Sequence, residues 1–146
     1  MKKLVDLKNA KNETYRKQLA DAEEREICPL CEEVIRKRSQ VIHVQNEYWI
    51  VTENIYPHNA VLHLLLVSVR HIEEIGELAP TEWQSFGGIV QELARKFNIL
   101  GAALALRFGD TSRTGATIRH IHAHLIVPHE HCDTGASSIV WFSIGT

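Results

Sequence analysis

The segment His120-Ile121-His122-Ala123-His124-Leu125-Ile126-Val127-Pro128 constrains the fold more than any other part of the sequence. Its histidines alternate with apolar residues, and successive side chains of a β-strand point to opposite faces. A strand here would place His120, His122 and His124 on one face and the intervening apolar residues on a core. Because imidazole can act as nucleophile, acid, base or metal ligand near neutral pH, the pattern predicts a strand with one chemically active face.

The clearest helix signal lies at 81–100, where large apolar residues recur at steps of three and four. Thr81 and Gln84 fit a capping box at its start, and Gly101 is suited to end it in the left-handed conformation. The pair Gly87-Gly88 weakens the helix, which suggests close backbone packing at that point. The sequence therefore predicts a long amphipathic helix with its apolar stripe in the core.

Strands are predicted at Val41–Gln45 and Tyr48–Glu53, joined by a hairpin turn at Asn46-Glu47. Ala60–Val69 is nearly all apolar, as expected of a central strand covered on both faces. Ala102–Phe108 is predicted as a further strand, followed by a polar loop and then the histidine strand. This order of elements predicts an α+β fold in which helices pack on an antiparallel sheet.

A chain of 146 residues predicts a single domain over 1–146. Its start is predicted to be a helical extension at about 1–27, because polar residues and a narrow apolar stripe alternate at helical spacing over 8–26. The net charge of −2 gives no electrostatic case for nucleic-acid or membrane binding. The N-terminus lacks the apolar region of a signal peptide, and no apolar run is long enough to span a bilayer, so we expect a cytoplasmic protein.

Three motifs together resemble the histidine triad (HIT) family of nucleotide hydrolases and transferases. The alternating histidines match the family's His-φ-His-φ-His-φ-φ motif, where φ is apolar. Gly115-Ala116-Thr117-Ile118-Arg119 is similar to the segment that precedes this motif, and Leu65–His71 is similar to the family's apolar strand leading into Pro-x-x-His. Cys28-Pro29-Leu30-Cys31 resembles the Cys-x-x-Cys of zinc-containing members. The resemblance covers most of the chain.

The resemblance implies a HIT-like α+β fold, often paired into a homodimer, and a purine nucleotide or nucleotide conjugate as ligand. It implies that His122 attacks the α-phosphate and forms a nucleotidyl-histidine, while His124 contacts the phosphate or the leaving group. It places Asn54 at the ribose hydroxyls. Gly115 and Thr117 would lie at the phosphate, Thr117 near the leaving group. No organic cofactor is implied.

The sequence departs from the family pattern at two positions. Gly109 stands where the family usually has an asparagine or glutamine that donates to phosphate, and Ala116 replaces the usual glutamine. His63 matches a further family histidine. We expect it to be a buried residue that at most supports the residues in contact with the substrate. Either the missing donors are compensated by a nearby residue, or the substrate differs from the family's usual one. The residues that could compensate are Arg107, Asp110, Ser112 and Arg113.

In a reducing compartment, Cys28 and Cys31 are better interpreted as metal ligands or a redox pair than as part of a disulfide framework. The resemblance to zinc-bearing members implies a structural zinc with His71 and His120 as the remaining ligands. Two alternatives stay open: reduced thiols at a helix end, and a separate local metal site at His129-Glu130-His131-Cys132.

The sequence is compatible with several functions. Within the enzyme hypothesis, the substrate is a nucleoside phosphoramidate, a dinucleoside polyphosphate or, least favoured, a sugar nucleotide, and the acceptor is water or inorganic phosphate. A non-catalytic purine-nucleotide-binding or scaffold module is one alternative from another class. A metal-dependent hydrolase with the triad histidines as metal ligands is another.

Overall fold

The structure, a computed structural model, describes residues 3–38, 41–131 and 133–145. No helix in these ranges is long and apolar enough to cross a membrane. The helices are α1 (Glu13–Glu24), α2 (Glu32–Lys37), α3 (Pro80–Lys96) and α4 (Thr111–Thr114), and the strands are β1 (Ile42–Gln45), β2 (Trp49–Glu53), β3 (Leu62–Ser68), β4 (Ala103–Arg107) and β5 (His122–Val127).

The strands form one antiparallel sheet in the order β1-β2-β3-β5-β4, which confirms the predicted α+β class. The β1–β2 hairpin turns at Asn46, whose side-chain oxygen accepts the backbone N–H groups of Tyr48 and Trp49. The predicted strand of histidines started two residues too early. Strand β5 begins at His122, so His120 lies just before the strand and is not part of its face.

Strand pairing fixes which residues share a face, because residues directly opposite on neighbouring strands point the same way. His124 is opposite Leu65 of β3, and His122 is opposite both Val67 of β3 and Arg107 of β4. We call this side of the sheet the histidine face. The apolar residues between the histidines point to the other side and are fully or almost fully buried in the main core.

Helix α3 covers that core side of the sheet. Ile89 and Leu93 of α3 are 2% and 0% exposed, and the indole N–H of the buried Trp49 donates to the backbone oxygen of Glu82 at 2.9 Å. The predicted close packing at Gly87-Gly88 is wrong, since a Cβ at either residue would meet nothing within 4 Å. These glycines therefore lie on the outer side of the helix.

Both predicted ends of the long helix are also wrong in detail. The helix begins at Pro80, and the carboxylate of Glu82 accepts the backbone N–H of Ala79 at 2.7 Å, a bond that the Thr81–Gln84 box does not provide. The helix ends at Lys96, and Asn98 takes the left-handed conformation with φ of 48°. Asparagine tolerates this conformation better than most residues, so the chain turns before it reaches Gly101.

The N-terminal segment packs on one part of the histidine face. A second cluster of buried residues, Val5, Leu19, Cys28, Leu30, Ile35, Ile50, Val67 and Ile118, joins this segment to the sheet. Glu23 in α1 accepts the backbone N–H groups of Leu4 and Val5, both at 3.0 Å from Oε2. The helix predicted at 8–26 is shorter than expected, since α1 spans Glu13–Glu24. Its buried residue Leu19 packs against the sheet in this second cluster.

Removing side-chain volume from Ile89 should destabilise the fold by leaving a cavity between α3 and the sheet. We expect Ile89→Ala to lower the free energy of unfolding by about 2–5 kcal/mol. The matched control is Ile139→Ala, because Ile139 is 79% exposed; its effect should stay within about 0.5 kcal/mol. Urea denaturation measures both, and equal effects would contradict the packing described.

Candidate active site and metal centre

A pocket opens on the part of the histidine face that the N-terminal segment leaves uncovered. The sequence-predicted catalytic and substrate residues all line it: His122, His124, Asn54, Gly115 and Thr117. They come from β5, from the loop after β2, and from the turn that precedes β5. Antiparallel pairing of the strands brings these separate segments to one place.

His122 is held with one ring nitrogen occupied and the other available. Its Nδ1 lies 2.6 Å from the backbone oxygen of His120, two residues earlier. Since a carbonyl can only accept, Nδ1 carries the proton and Nε2 keeps its lone pair. The side chain is buried but lines the pocket. This is the protonation pattern that a histidine nucleophile needs.

A chain of hydrogen bonds fixes the proton on His124 as well. The backbone N–H of His58 donates to Nδ1 of His63 at 2.9 Å, so the proton of neutral His63 must be on Nε2. That Nε2 lies 2.9 Å from Nδ1 of His124 and donates to it. The proton of His124 is thereby placed on Nε2, which makes this atom a hydrogen-bond donor.

Asn54 and Thr117 are placed in the pocket wall by contacts of their own. The side-chain oxygen of Asn54 accepts the N–H of Tyr56 at 2.9 Å, which turns its Nδ2 towards the lone pair on Nδ1 of His124 at 3.5 Å. Nε2 of His63 lies 3.1 Å from the same Nδ2 but, because it carries a proton, does not accept from it. The hydroxyl of Thr117 lies 2.9 Å from that of Tyr15 in α1. Helix α1 therefore helps to build the pocket.

Burial keeps the pocket histidines neutral. It lowers the pKa of both His122 and His63 to about 4, because an imidazolium would lose its hydration there. Burial also holds the pKa of His124 well below its usual range, and the nearby His122, His63 and Arg107 add to this shift. All three imidazoles are therefore uncharged near neutral pH.

The remaining triad histidine belongs to a different cluster. Cys28, Cys31, His71 and His120 each bring a ligand atom to within 4.8 Å of the others. Nδ1 of His120 lies 3.4 Å from Sγ of Cys28, and Nδ1 of His71 lies 3.4 Å from Sγ of Cys31. A set of two sulfur and two nitrogen donors fits the tetrahedral coordination of structural zinc.

The ring nitrogens that do not face the cysteines, Nε2 of His120 and Nε2 of His71, also make the contacts that are typical of metal-binding histidines. Nε2 of His120 donates to the backbone oxygen of Ser68 at 2.8 Å, so its Nδ1 is free to bind a metal. Nε2 of His71 lies 3.6 Å from the buried carboxylate of Glu73. Such outer contacts orient metal-binding imidazoles and set their protonation.

The pKa values of the two thiols are shifted in opposite directions. A hydrogen bond from Cys28 lowers the pKa of the Cys31 thiol well below its usual range. The hydrogen bond to Cys31 and burial raise the pKa of the Cys28 thiol. Cys31 is thus readily ionised, as a sulfur ligand of zinc must be.

Two metal hypotheses find no matching geometry in the part of the chain that the structure describes. Only the Cys28–Cys31–His71–His120 cluster gathers three or more such ligands there. His122 and His124 therefore do not converge with His120 on one ion. His129, Glu130 and His131 do not converge either, and Cys132 lies outside the described residues.

Sequence reasoning missed several pocket residues. Lys11 and Tyr15 come from the N-terminal segment, which was predicted only to be an amphipathic helical extension, and Phe142 comes from the C-terminal segment. The ring centroid of Phe142 lies 4.9 Å from that of His124 and 5.5 Å from that of His58. None of these residues belongs to a motif, so no local signal in the sequence connected them with the site.

Comparison with known proteins identifies the fold and a family whose sequence profile matches this chain. The sequence profile of the HIT domain matches residues 35–131. A HIT family hydrolase from Clostridium thermocellum is 26% identical, with a TM-score of 0.54, covering 77% of this chain and 96% of that one. A search of curated proteins gives no match.

Two further solved structures share the fold at lower identity. One is a zinc-bound histidine triad family protein from Mycobacterium smegmatis, with 21% identity, a TM-score of 0.56, and coverage of 75% of this chain and 79% of that one. The other is a histidine triad nucleotide-binding protein from Candida albicans, with 19% identity, a TM-score of 0.59, and coverage of 82% and 85%.

The neutral pocket histidines should make stability depend on pH. Their folded pKa values lie below the ordinary value of 6.5. As the pH falls below about 6.5, the unfolded chain binds protons that the folded protein does not, so the free energy of unfolding should decrease down to about pH 4. Urea denaturation at several pH values measures this slope.

The variant His63→Gln provides the comparison for this measurement. It removes one of the buried imidazoles, so its unfolding free energy should fall less steeply with decreasing pH than that of the wild type. Subtracting the unfolding free energy of one protein from that of the other at each pH removes the contribution of the titratable groups that both proteins contain. Identical slopes would show that burial does not depress the pKa of His63.

Proposed function

The chain belongs to the HIT family, and from this membership and the pocket geometry we propose that it is a nucleotide hydrolase or nucleotidyl transferase acting at an α-phosphate. The observation that carries the proposal is the bond from Nδ1 of His122 to the backbone oxygen of His120 at 2.6 Å. It leaves a neutral nitrogen with a free lone pair in a pocket. A protein that only binds nucleotides has no need of such a nucleophile.

In the first step, Nε2 of His122 attacks the α-phosphorus of the substrate. A P–N bond forms, the bond from phosphorus to the leaving group breaks, and the leaving group takes that electron pair. The His122 ring becomes positively charged, and the backbone oxygen of His120, which already accepts Nδ1–H, stabilises that charge. Nε2–H of His124 donates a hydrogen bond to the phosphate or to the leaving group.

In the second step, a water molecule or another acceptor attacks the nucleotidyl-histidine. A new P–O bond forms and the P–N bond breaks, returning its electron pair to Nε2 of His122. The acceptor's proton passes to the group that was released with its electron pair in the first step, or to solvent. Splitting one displacement into two through a neutral imidazole is the advantage of covalent catalysis here.

Two residues of the pocket wall are proposed to select the substrate. Asn54 would hold the ribose hydroxyls, and Thr117, at the turn that begins with Gly115, would contact the leaving group. Both side chains line the pocket beside the nucleophile, which supports these roles. Nucleoside phosphoramidates and dinucleoside polyphosphates of a purine are the substrate classes that we propose.

We also propose that Cys28, Cys31, His71 and His120 bind a structural zinc. A relative with this fold from Mycobacterium smegmatis has zinc bound. The ion would contribute no reacting group. It would tie the Cys28–Cys31 turn to His120, whose backbone oxygen positions His122. Zinc would in this way stabilise both the fold and the orientation of the nucleophile.

The homodimer that the family resemblance implies remains a prediction. Strand β4 is at the edge of the sheet, and Leu104 on this strand is 45% exposed. An exposed edge strand offers unpaired backbone groups to a second chain, which supports pairing at this edge.

Replacing the nucleophile tests the proposed reaction. We expect His122→Ala to lower turnover of adenosine phosphoramidate or diadenosine polyphosphates by roughly a thousandfold or more, with AMP binding nearly unchanged. Rapid denaturation of the wild type at alkaline pH, which preserves the P–N bond, should leave a nucleotidyl mass on the peptide containing His122. Mass spectrometry measures products and adduct.

The control is His129→Ala, because His129 is exposed and outside the pocket lining. It should keep wild-type turnover. Full activity in His122→Ala would exclude the covalent mechanism. Nucleotide binding by the wild type without turnover of any of these substrates would favour a binding module.

Metal analysis tests the zinc site independently of activity. Purified protein should contain about one zinc per chain, retained on dialysis. Cys31→Ser and His71→Ala should lose the metal and unfold at lower temperature, whereas His131→Ala, at an exposed position, should keep both. A wild type without zinc, whose stability is unaffected by Cys31→Ser, would favour two ordinary reduced thiols.

A further inference from the structure

Arg107 occupies a position from which it can reach the reacting phosphate. It is the last residue of β4 and lies directly opposite His122 of β5, so both side chains are on the histidine face. Arg107 lines the same pocket as His122 and His124. Of the residues considered as substitutes for the missing phosphate donor, Asp110, Ser112 and Arg113 are absent from that lining.

Among the described residues, the groups that hold the guanidinium of Arg107 are neutral. It donates to the backbone oxygen of Thr114, and to that of Ser143 at 2.7 Å, and it lies 4.3 Å from the ring centroid of Phe142. Its Nε is buried without a hydrogen-bond partner, and it makes no ion pair within residues 3–38, 41–131 and 133–145. A half-buried cation without a counter-ion loses hydration that no partner charge replaces.

The groups around Arg107 add to this excess of positive charge. Lys11 and Arg38 also line the pocket, and the charge of Arg107 lowers the pKa of Lys11 further after burial has done so. Among the described lining residues the only acid is Glu53, whose carboxylate lies 3.2 Å from Nε2 of His43. The pocket is therefore suited to an anionic ligand, whose negative charge would balance these positive side chains.

The backbone explains why a donor at position 109 is missing. Gly109 has φ of 75°, a conformation that favours glycine, and a Cβ there would lie 3.2 Å from a carboxylate oxygen of Glu74. A side chain at this position would begin beside that carboxylate, so an amide here would meet an acid before it met a phosphate. A phosphate donor has to come from elsewhere in the pocket.

We propose that Arg107 binds the phosphate of the substrate, exchanging the backbone oxygen of Ser143 for phosphate oxygens and so replacing the donor that Gly109 cannot supply. This inference rests on the proposed function, since it assumes a nucleotide in the pocket. The planar guanidinium can donate two parallel hydrogen bonds to a phosphate. The carbonyl of Ser143 then serves as a neutral partner that holds the side chain ready in the free protein.

Binding of AMP and of adenosine separates the contact with phosphate from all other contacts. By calorimetry, Arg107→Gln should weaken AMP binding about 10- to 100-fold and leave adenosine binding within about twofold. The matched control Arg113→Gln removes a neighbouring arginine whose side chain is 86% exposed, and it should change neither affinity. Unfolding temperatures of both variants establish that they are folded.

Two further variants distinguish phosphate binding from a purely structural role. Arg107→Lys keeps the charge but loses the planar fork, so it should retain part of the preference for AMP over adenosine. Phe142→Ala removes the ring that Arg107 packs on, so it should lower the affinity for AMP more than the affinity for adenosine. In the wild type, AMP binding should weaken with added salt, and adenosine binding should not.

The outcomes divide clearly between the two proposals. If Arg107→Gln weakens AMP and adenosine equally, or if AMP binding to the wild type is insensitive to salt, Arg107 is not a phosphate ligand. If the wild type binds neither compound, the proposed function itself fails and this inference fails with it. Loss of AMP preference in Arg107→Gln but not in Arg113→Gln supports the assignment.

Discussion

The register of β5 between β3 and β4 is the constraint on which both the core and the site depend. It places His122 and His124 on one face and buries Ala123 and Leu125 beneath α3 on the other. A slip of one residue would exchange the two faces, because side chains alternate strictly along a strand. The same pairing therefore decides where apolar surface is buried and where the reactive imidazoles stand.

Burial gives the pocket its chemistry as well as its shape. It keeps His122 and His124 uncharged, and backbone groups of His120 and His58 set which nitrogen carries each proton. A histidine in water would exchange freely between these forms. Within the described residues, the pocket also holds Arg107 without a carboxylate partner, so the anionic substrate that we propose would meet neutral imidazoles and a positive charge together.

The sequence predicted the elements well where one strong local pattern was present. The hairpin at Asn46, the central strand, and the long helix all follow from apolar periodicity and turn residues. It was less successful at element ends, where Glu82 and Asn98 took the roles expected of Thr81 with Gln84 and of Gly101. Several residues can cap a helix equally well in isolation, and packing of the whole element decides among them.

By itself, the sequence determined the fold class, the family, and the residues with reactive side chains, because these depend on patterns within short segments. The family resemblance already assigned His120 to the cysteines and His122 and His124 to catalysis. The tertiary structure shows how this division arises, because β5 begins only at His122 and His120 lies before the strand, beside the cysteines. It alone brought Lys11, Arg107 and the C-terminal segment to the same pocket. Contacts between residues far apart in sequence leave no local pattern, since they arise when separate segments pack on one sheet.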